Sequence, residues 1–174
     1  MIAPVLETAR LILRPFQPED LDGQAAALAD PVVMRHLGGE VHAREDVWRR
    51  ILAALGAWAM FGYGYWAVRR RSDGAYLGNL GFSDFKRDMQ PSIEGLPEIG
   101  WLLAAHAQGQ GYAAEGVAAA LDWADRTLDV PQIVAIIDAN NASSIRLAER
   151  AGFSVREAAV YRDAPILLFR RFRP

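Results

Sequence analysis

The sequence contains no cysteine. That excludes disulfides, thiolate metal sites and a cysteine nucleophile. Long apolar runs are missing too. The longest, Ile51 to Phe61, is interrupted by Gly56 and is too short to cross a bilayer. Met1 to Glu7 offers neither the basic head nor the apolar stretch of a signal peptide. There is no excess of one charge: 19 Lys+Arg face 21 Asp+Glu, a net charge of -2. That balance speaks against a general phosphate-backbone binder and leaves room for a local basic patch. His36, His42 and His106 lack ligand spacing such as His-x-x-x-His, which predicts no metal. These absences predict a soluble, cytoplasmic protein with neither nucleic acid nor membrane as partner.

What is present suits one globular domain over residues 1–174. Hydrophobic residues make up 52% and charged residues 23%, ordinary values for a folded chain. A domain of this size buries about 70% of its unfolded surface and needs no staple.

Strand and helix patterns alternate along the chain. Thr8 to Pro15 reads as a strand. Pro18, with Glu19 and Asp20 behind it, opens a helix that stops before Asp30-Pro31. Val47, Trp48, Ile51, Leu52, Leu55 and Trp58 follow helical spacing across Glu45 to Met60. Tyr65–Arg71 and Tyr76–Phe85 form a hairpin around Ser72-Asp73-Gly74. Lys86 to Pro97 is a polar loop. Glu98–Ala104 and Gln132–Asp138 are apolar enough to be buried strands, with an alanine-rich helix from Gly111 to about Leu128 between them. Ala142 to Ala151 is a helix closed by Gly152. Phe153–Val160 and Ile166–Phe172 are two final strands. The order β-α-α-β-β-β-α-β-α-β-β predicts an α/β (α+β) fold. Its single mixed, largely antiparallel sheet has about six to seven strands and carries helices on both faces. Glu98 to Asp138 is its one β-α-β unit, so those two strands run parallel.

The segment Gln108-Gly109-Gln110-Gly111-Tyr112-Ala113-Ala114-Glu115 joins that strand to that helix. Glycines let the backbone approach a ligand, and a helix start presents unpaired N–H groups, which suits a pyrophosphate. The same glycines also serve as plain turn residues. Gly109-x-Gly111-x-x-Ala114 satisfies a loose dinucleotide fingerprint as well, with Asp138 ending the next strand. An antiparallel meander precedes it, however, and only 36 residues follow Asp138, too few for a second nucleotide half. After Asp138 comes Ala139-Asn140-Asn141-Ala142-Ser143-Ser144, where Asn141 fits a helix N-cap.

Together these blocks resemble the acetyl-CoA-binding motifs of the GNAT superfamily of N-acetyltransferases. Glu7-Thr8-Ala9-Arg10-Leu11-Ile12-Leu13-Arg14-Pro15, Asp30-Pro31-Val32-Val33-Met34 and Glu98-Ile99-Gly100-Trp101-Leu102-Leu103 resemble its ribosomal-protein-alanine N-acetyltransferase branch. The resemblance runs through nearly the whole chain, in order. It implies acetyl-CoA as co-substrate and splayed central parallel strands. It implies that the backbone of Trp101, Leu102 and Leu103 pairs with the pantetheine arm. The N–H groups of Gly109, Gln110, Gly111, Tyr112, Ala113 and Ala114 would hold the pyrophosphate. Asn141 would touch the pantetheine and Ser144 would approach the CoA. Two positions depart from the pattern. His106 stands where many relatives have Gln or Arg, and Ala148 stands where many carry the tyrosine that protonates the thiolate.

Acetyl transfer needs a neutral amine. An α-amine, with a pKa of about 7.7–8.0, loses its proton far more readily than a lysine at about 10.4. Glu98, opening the central strand beside the splay, is the candidate general base. Tyr161 is the candidate acid, with Tyr112 as the alternative. The acceptor is a protein N-terminal or small-molecule amine, and the chain is a monomer or homodimer. Two further readings remain: a catalytically silent acyl-CoA-binding module, and a nucleotide-dependent oxidoreductase.

Overall fold

A computed structural model describes residues 3–173; Met1, Ile2 and Pro174, the ends of the expected domain, lie outside the described residues. Thr8 shapes the first elements. Its hydroxyl accepts from the Leu11 amide at 2.9 Å, so Thr8 to Arg10 turns the chain. Strand β1 (Leu6–Glu7) therefore folds back on β2 (Leu11–Arg14), with Leu6 opposite Leu13. The strand expected from Thr8 starts only at Leu11, and the sheet gains a strand at its edge.

Pro18 starts a short 3-10 turn that leads into α1 (Leu21–Leu28). Asp30 ends that helix and also starts another. Its carboxylate accepts from the Val32 amide at 2.8 Å and caps α2 (Pro31–Met34), with proline at the first helical position. The sequence pattern shows the break there but not the new turn. Helix α3 (Arg44–Phe61) ends at Gly62 in the left-handed region. Strands β3 (Tyr65–Arg70), β4 (Tyr76–Ser83) and β5 (Glu98–Leu103) form the meander. Helix α4 (Tyr112–Thr127), β6 (Gln132–Asp138), α5 (Ala142–Arg150), β7 (Val155–Tyr161) and β8 (Ala164–Phe172) complete the chain.

The eight strands lie in the order β1-β2-β3-β4-β5-β6-β8-β7, one more than the sequence pattern resolves. Among the described residues, only β5 and β6 run parallel. Helices α4 and α5 bury Val117, Leu121, Trp123 and Ala148 against Leu80, Phe82, Ile99 and Phe169. On the other face α1 to α3 bury Leu28, Met34, Val47 and Ile51 against Ala67 and Leu102. Trp58, Trp66 and Trp123 meet edge to face, with centroids 4.8 to 5.4 Å apart, within the range that favours such pairs. Trp58 and Trp66 are therefore core residues.

Arg69, at the end of β3, is not the solvated residue that its place in an arginine run suggests. The fully buried Asp20 accepts from Arg69 Nη2 and from Arg14 Nη1, both at 2.7 Å, and from the Gln17 amide at 2.8 Å. A buried carboxylate requires such partners, because desolvation of an unpaired charge costs several kcal/mol. Among the described residues, no helix is long and apolar enough to cross a membrane.

Candidate active site

The sheet is split at its centre. Strands β5 and β6 share a single register pair, Glu98 with Val134, supported by the Val134 amide donating to Pro97 at 3.0 Å. On its other side β5 pairs with β4 along its whole length, from Glu98–Ser83 to Leu103–Gly78. Beyond Glu98, then, one edge of β5 faces a gap. A strand edge facing a gap can accept an extended chain through backbone hydrogen bonds, as an added strand would. Trp101, Leu102 and Leu103 lie on that edge. Gln108 Nε2 donates to the Leu103 carbonyl at 3.0 Å and closes the upper end.

The glycine segment sits at the top of this gap. Gly109 and Gly111 both adopt left-handed backbone, at φ +74° and +79°. That region costs other residues about 1–2 kcal/mol, so the turn selects glycine on conformation alone. Gly111 is the N-cap residue of α4, and Tyr112, Ala113 and Ala114 form its first turn. Their N–H groups lack intrahelical partners there and carry the positive end of the helix dipole. Gln110 braces the turn: its Nε2 donates to His106 O at 2.7 Å, and its own carbonyl accepts from Arg10 at 2.9 Å. Glu115 pins the same turn from below, accepting from the Thr8 hydroxyl at 2.6 Å and from Arg10 Nε at 2.7 Å.

Asn141 behaves as the N-cap its sequence predicts. Its Oδ1 accepts from the Ser144 amide at 3.1 Å and the Ser143 hydroxyl at 2.8 Å. Ser144 in turn accepts from the Trp101 indole Nε1 at 3.2 Å. That bond links β5 to α5, so the structure brings Trp101, Asn141 and Ser144 together at one cleft. Ala148, one turn deeper on α5, is fully buried. No hydroxyl is available from that position.

Glu98 lies at the foot of the split, 4% exposed. Arg87, from the loop before β5, grips it with two bonds, Nε to Oε2 at 2.6 Å and Nη2 to Oε1 at 2.8 Å. Burial raises the Glu98 pKa, Arg87 opposes that, and nearby Asp84 adds to the rise. The result is a carboxylate held in place yet more basic than an exposed one. Tyr161 sits on the far side of Arg87, its ring 4.8 Å from the guanidinium carbon, and Phe85 lies 4.7 Å from the same carbon. Tyr112, the other expected candidate acid, is the first residue of α4 and is buried beneath Arg10.

Three contributors escaped the sequence reading. Tyr65 is the first. A Cβ on Gly100 would overlap its hydroxyl, so this glycine exists to admit the phenol over β5. Burial raises the Tyr65 pKa and the Glu98 carboxylate raises it further, which keeps the phenol protonated at neutral pH. Arg87 is the second; it lies in a loop whose sequence shows only polarity. His36 is the third. Its Nδ1 lies 2.5 Å from Asp138 Oδ2 and ties the segment after α2 to the end of β6. Burial pushes Asp138 up, but the Asn140 amide and His36 outweigh it and hold the carboxyl below its usual range. Asp138 is thus engaged by His36 and by the Asn140 amide.

This geometry matches known proteins along its whole length. Residues 10–154 match the family model described as Acetyltransferase (GNAT) domain. The uncharacterised N-acetyltransferase YoaA of Bacillus subtilis is 25% identical over 151 residues, covering 86% of this chain and 82% of YoaA. The chain spans 62% of the length of YkkB from the same organism, at 29% identity. An acetyltransferase structure from Agrobacterium tumefaciens superposes with a TM-score of 0.80 at 29% identity, covering 98% of this chain and 95% of that one. RimL, a ribosomal L7/L12 alpha-N-protein acetyltransferase in complex with coenzyme A, superposes at 0.79 with 17% identity over 97% and 98%, a likeness of fold. The split parallel pair, the glycine turn above it and the capped helix beside it all lie within these matches, and the chain belongs to the GNAT family of N-acetyltransferases.

Proposed function

We propose that residues 1–174 form one catalytic domain that moves an acetyl group from acetyl-CoA to a primary amine, by direct transfer within a ternary complex. The observation that carries this is the single register pair between β5 and β6, with the glycine turn at the open end of the gap. The pantetheine arm lies against the backbone of Trp101, Leu102 and Leu103. The pyrophosphate meets the N–H groups from Gly109 to Ala114, including those of Gln110, Gly111 and Tyr112. Asn141 and Ser144 line the opposite wall. Glu98 takes the proton of the amine, and N–H groups along β5 hold the oxyanion.

The acceptor is a protein N-terminal α-amine or a small-molecule amine. RimL is named for a protein α-amine, and a Vibrio cholerae spermidine N-acetyltransferase of the same fold (TM-score 0.73, 15% identity) was captured with CoA and spermine. Both support an amine nitrogen as acceptor. The test is thiol release from acetyl-CoA across a panel of N-terminal peptides, polyamines and amino acids. Release with none of them, alongside tight CoA binding, would leave a silent acyl-CoA-binding module.

Binding is checked separately by melting. CoA at 100 times its dissociation constant stabilises the fold by about 2.7 kcal/mol by mass action. The expected result is a rise in Tm with CoA and none with NAD; the reverse pattern reinstates the oxidoreductase.

A further inference from the structure

On the side of the glycine turn away from α5, a surface pocket of about 320 Å³ is lined by Ala9, Arg10, Arg70, Arg71, Ser72 and Tyr112. Three guanidinium groups thus share one pocket. They come from two separate hairpin turns, β1-β2 and β3-β4, brought to the same end of the sheet by the β2–β3 pairing of Leu11 with Arg70. Arg69, next in sequence, points to the other face and is consumed by Asp20.

Each guanidinium is held by a partner that fixes its direction. Arg10 binds Glu115 and the Gln110 carbonyl. Arg70 binds Asp73 with Nε at 2.9 Å and Nη2 at 2.7 Å. Arg71 Nη1 donates to Thr8 O at 3.1 Å, and its Nη2 lies 3.5 Å from Glu7. A guanidinium carries five N–H donors, so each retains donors beyond these bonds. A Cβ on Gly111 would stand 3.4 Å from Arg10 Nη2, which puts the pocket directly against the turn proposed for the pyrophosphate.

We propose that this pocket binds a phosphate monoester. Preoriented guanidinium forks match the oxygens of such a group, and a Ser hydroxyl and a Tyr hydroxyl supply further donors. Two sources offer that chemistry. One is the ribose 3′-phosphate of CoA, separated from the pyrophosphate only by the ribose. The other is a separate phosphate ligand. The first source rests on the proposed use of CoA.

The test compares CoA with dephospho-CoA, which lacks only the 3′-phosphate, and uses inorganic phosphate as a separate probe. Affinities of the two cofactors come from calorimetry; phosphate binding comes from melting scans. If the phosphate is CoA's, wild-type protein prefers CoA. Arg70→Gln/Arg71→Gln then removes about tenfold of CoA affinity, a few-fold for each exposed guanidinium, and leaves dephospho-CoA affinity in place. The preference also shrinks toward 1 M salt, where the screening length falls to about 3 Å. If the ligand is separate, inorganic phosphate raises the wild-type Tm and not that of the double variant, while the cofactor preference stays the same in both. Arg71→Gln alone, at a half-exposed residue, gives the smaller shift in the same direction and guards against misfolding of the double variant. Equal wild-type affinity for CoA and dephospho-CoA, with no stabilisation by phosphate, overturns the proposal. CoA binding without either effect leaves the acetyltransferase reading intact, whereas absence of CoA binding refutes that reading itself.

Discussion

Glu98→Gln lowers kcat by about 10²–10⁴, the span expected for loss of a general base, while acetyl-CoA affinity holds. The substitution keeps size and polarity but removes the proton acceptor. In the proposed complex the cofactor meets the backbone of β5 and the glycine turn, and neither uses the Glu98 side chain. Burial raises the Glu98 pKa, so the acid limb of the wild-type kcat profile lies above the ordinary glutamate value of about 4.3. Only the ionised form accepts a proton, hence the rate falls as pH drops through that limb. In the glutamine variant this limb disappears, and raising the pH partly restores the rate by supplying neutral amine.

The same group affects stability. A carboxyl whose folded pKa is raised binds its proton more tightly in the folded state. Its contribution is favourable below the unfolded pKa and is lost as pH rises through the folded pKa. The ionised form of Glu98 is therefore carried at a cost, which the two bonds from Arg87 offset only in part. Glutamine leaves the largely buried Arg87 without its counter-charge, so rates must be compared per folded molecule, with a melting scan beside them. Wild-type kcat in Glu98→Gln on the best acceptor from pH 6 to 9 would make the residue structural.

Much of this site was legible because its chemistry resides in the backbone. Gly109, Gly111 and Asn141 announce a turn, a helix start and a cap through local conformation, and local conformation is what short sequence motifs encode. The β-α-β unit was legible for the same reason: two apolar runs flank a helical one. Contacts between elements distant in the chain were not. Thr8 and Glu115 are 107 residues apart, and His36 and Asp138 are 102 apart. No period or spacing connects such pairs. Arg69, Arg70 and Arg71 look alike in sequence. Strand alternation sends Arg69 to Asp20 and Arg70 to the opposite face, and Arg71, already in the turn after β3, joins Arg70 at the pocket. Reading that split requires knowing which face carries α4.

The acid is where sequence and structure diverge most, and it yields the second large effect. The amine nitrogen attacks the thioester carbon; the C–N bond forms and the C–S bond breaks. The electron pair departs on sulfur, which needs a proton. Ala148 cannot give one. Tyr161 was the sequence choice, and its ring packs on Arg87, the partner of Glu98. Tyr65 is a second candidate: its hydroxyl lies over Gly100 on the face of β5, near enough to Glu98 for that carboxylate to raise its pKa. Its raised pKa keeps the phenol protonated and makes it a weak acid, so donation accompanies C–S cleavage and does not precede it. Glu98, close enough to raise that pKa, can return the amine proton to the phenolate, which balances the cycle. Tyr65→Phe is therefore expected to lower kcat by about 10²–10⁴ with CoA affinity retained, and Tyr161→Phe by much less. Gly100→Ala provides an independent arm, because its methyl displaces the Tyr65 hydroxyl without touching the phenol's chemistry. It lowers kcat as well, and in the Tyr65→Phe background it adds little, since both act through one group. A thioester with a more acidic thiol needs no proton on departure, so it rescues Tyr65→Phe but not Glu98→Gln. Equal rescue of both variants, or a larger loss in Tyr161→Phe than in Tyr65→Phe, would return the role of acid to Tyr161.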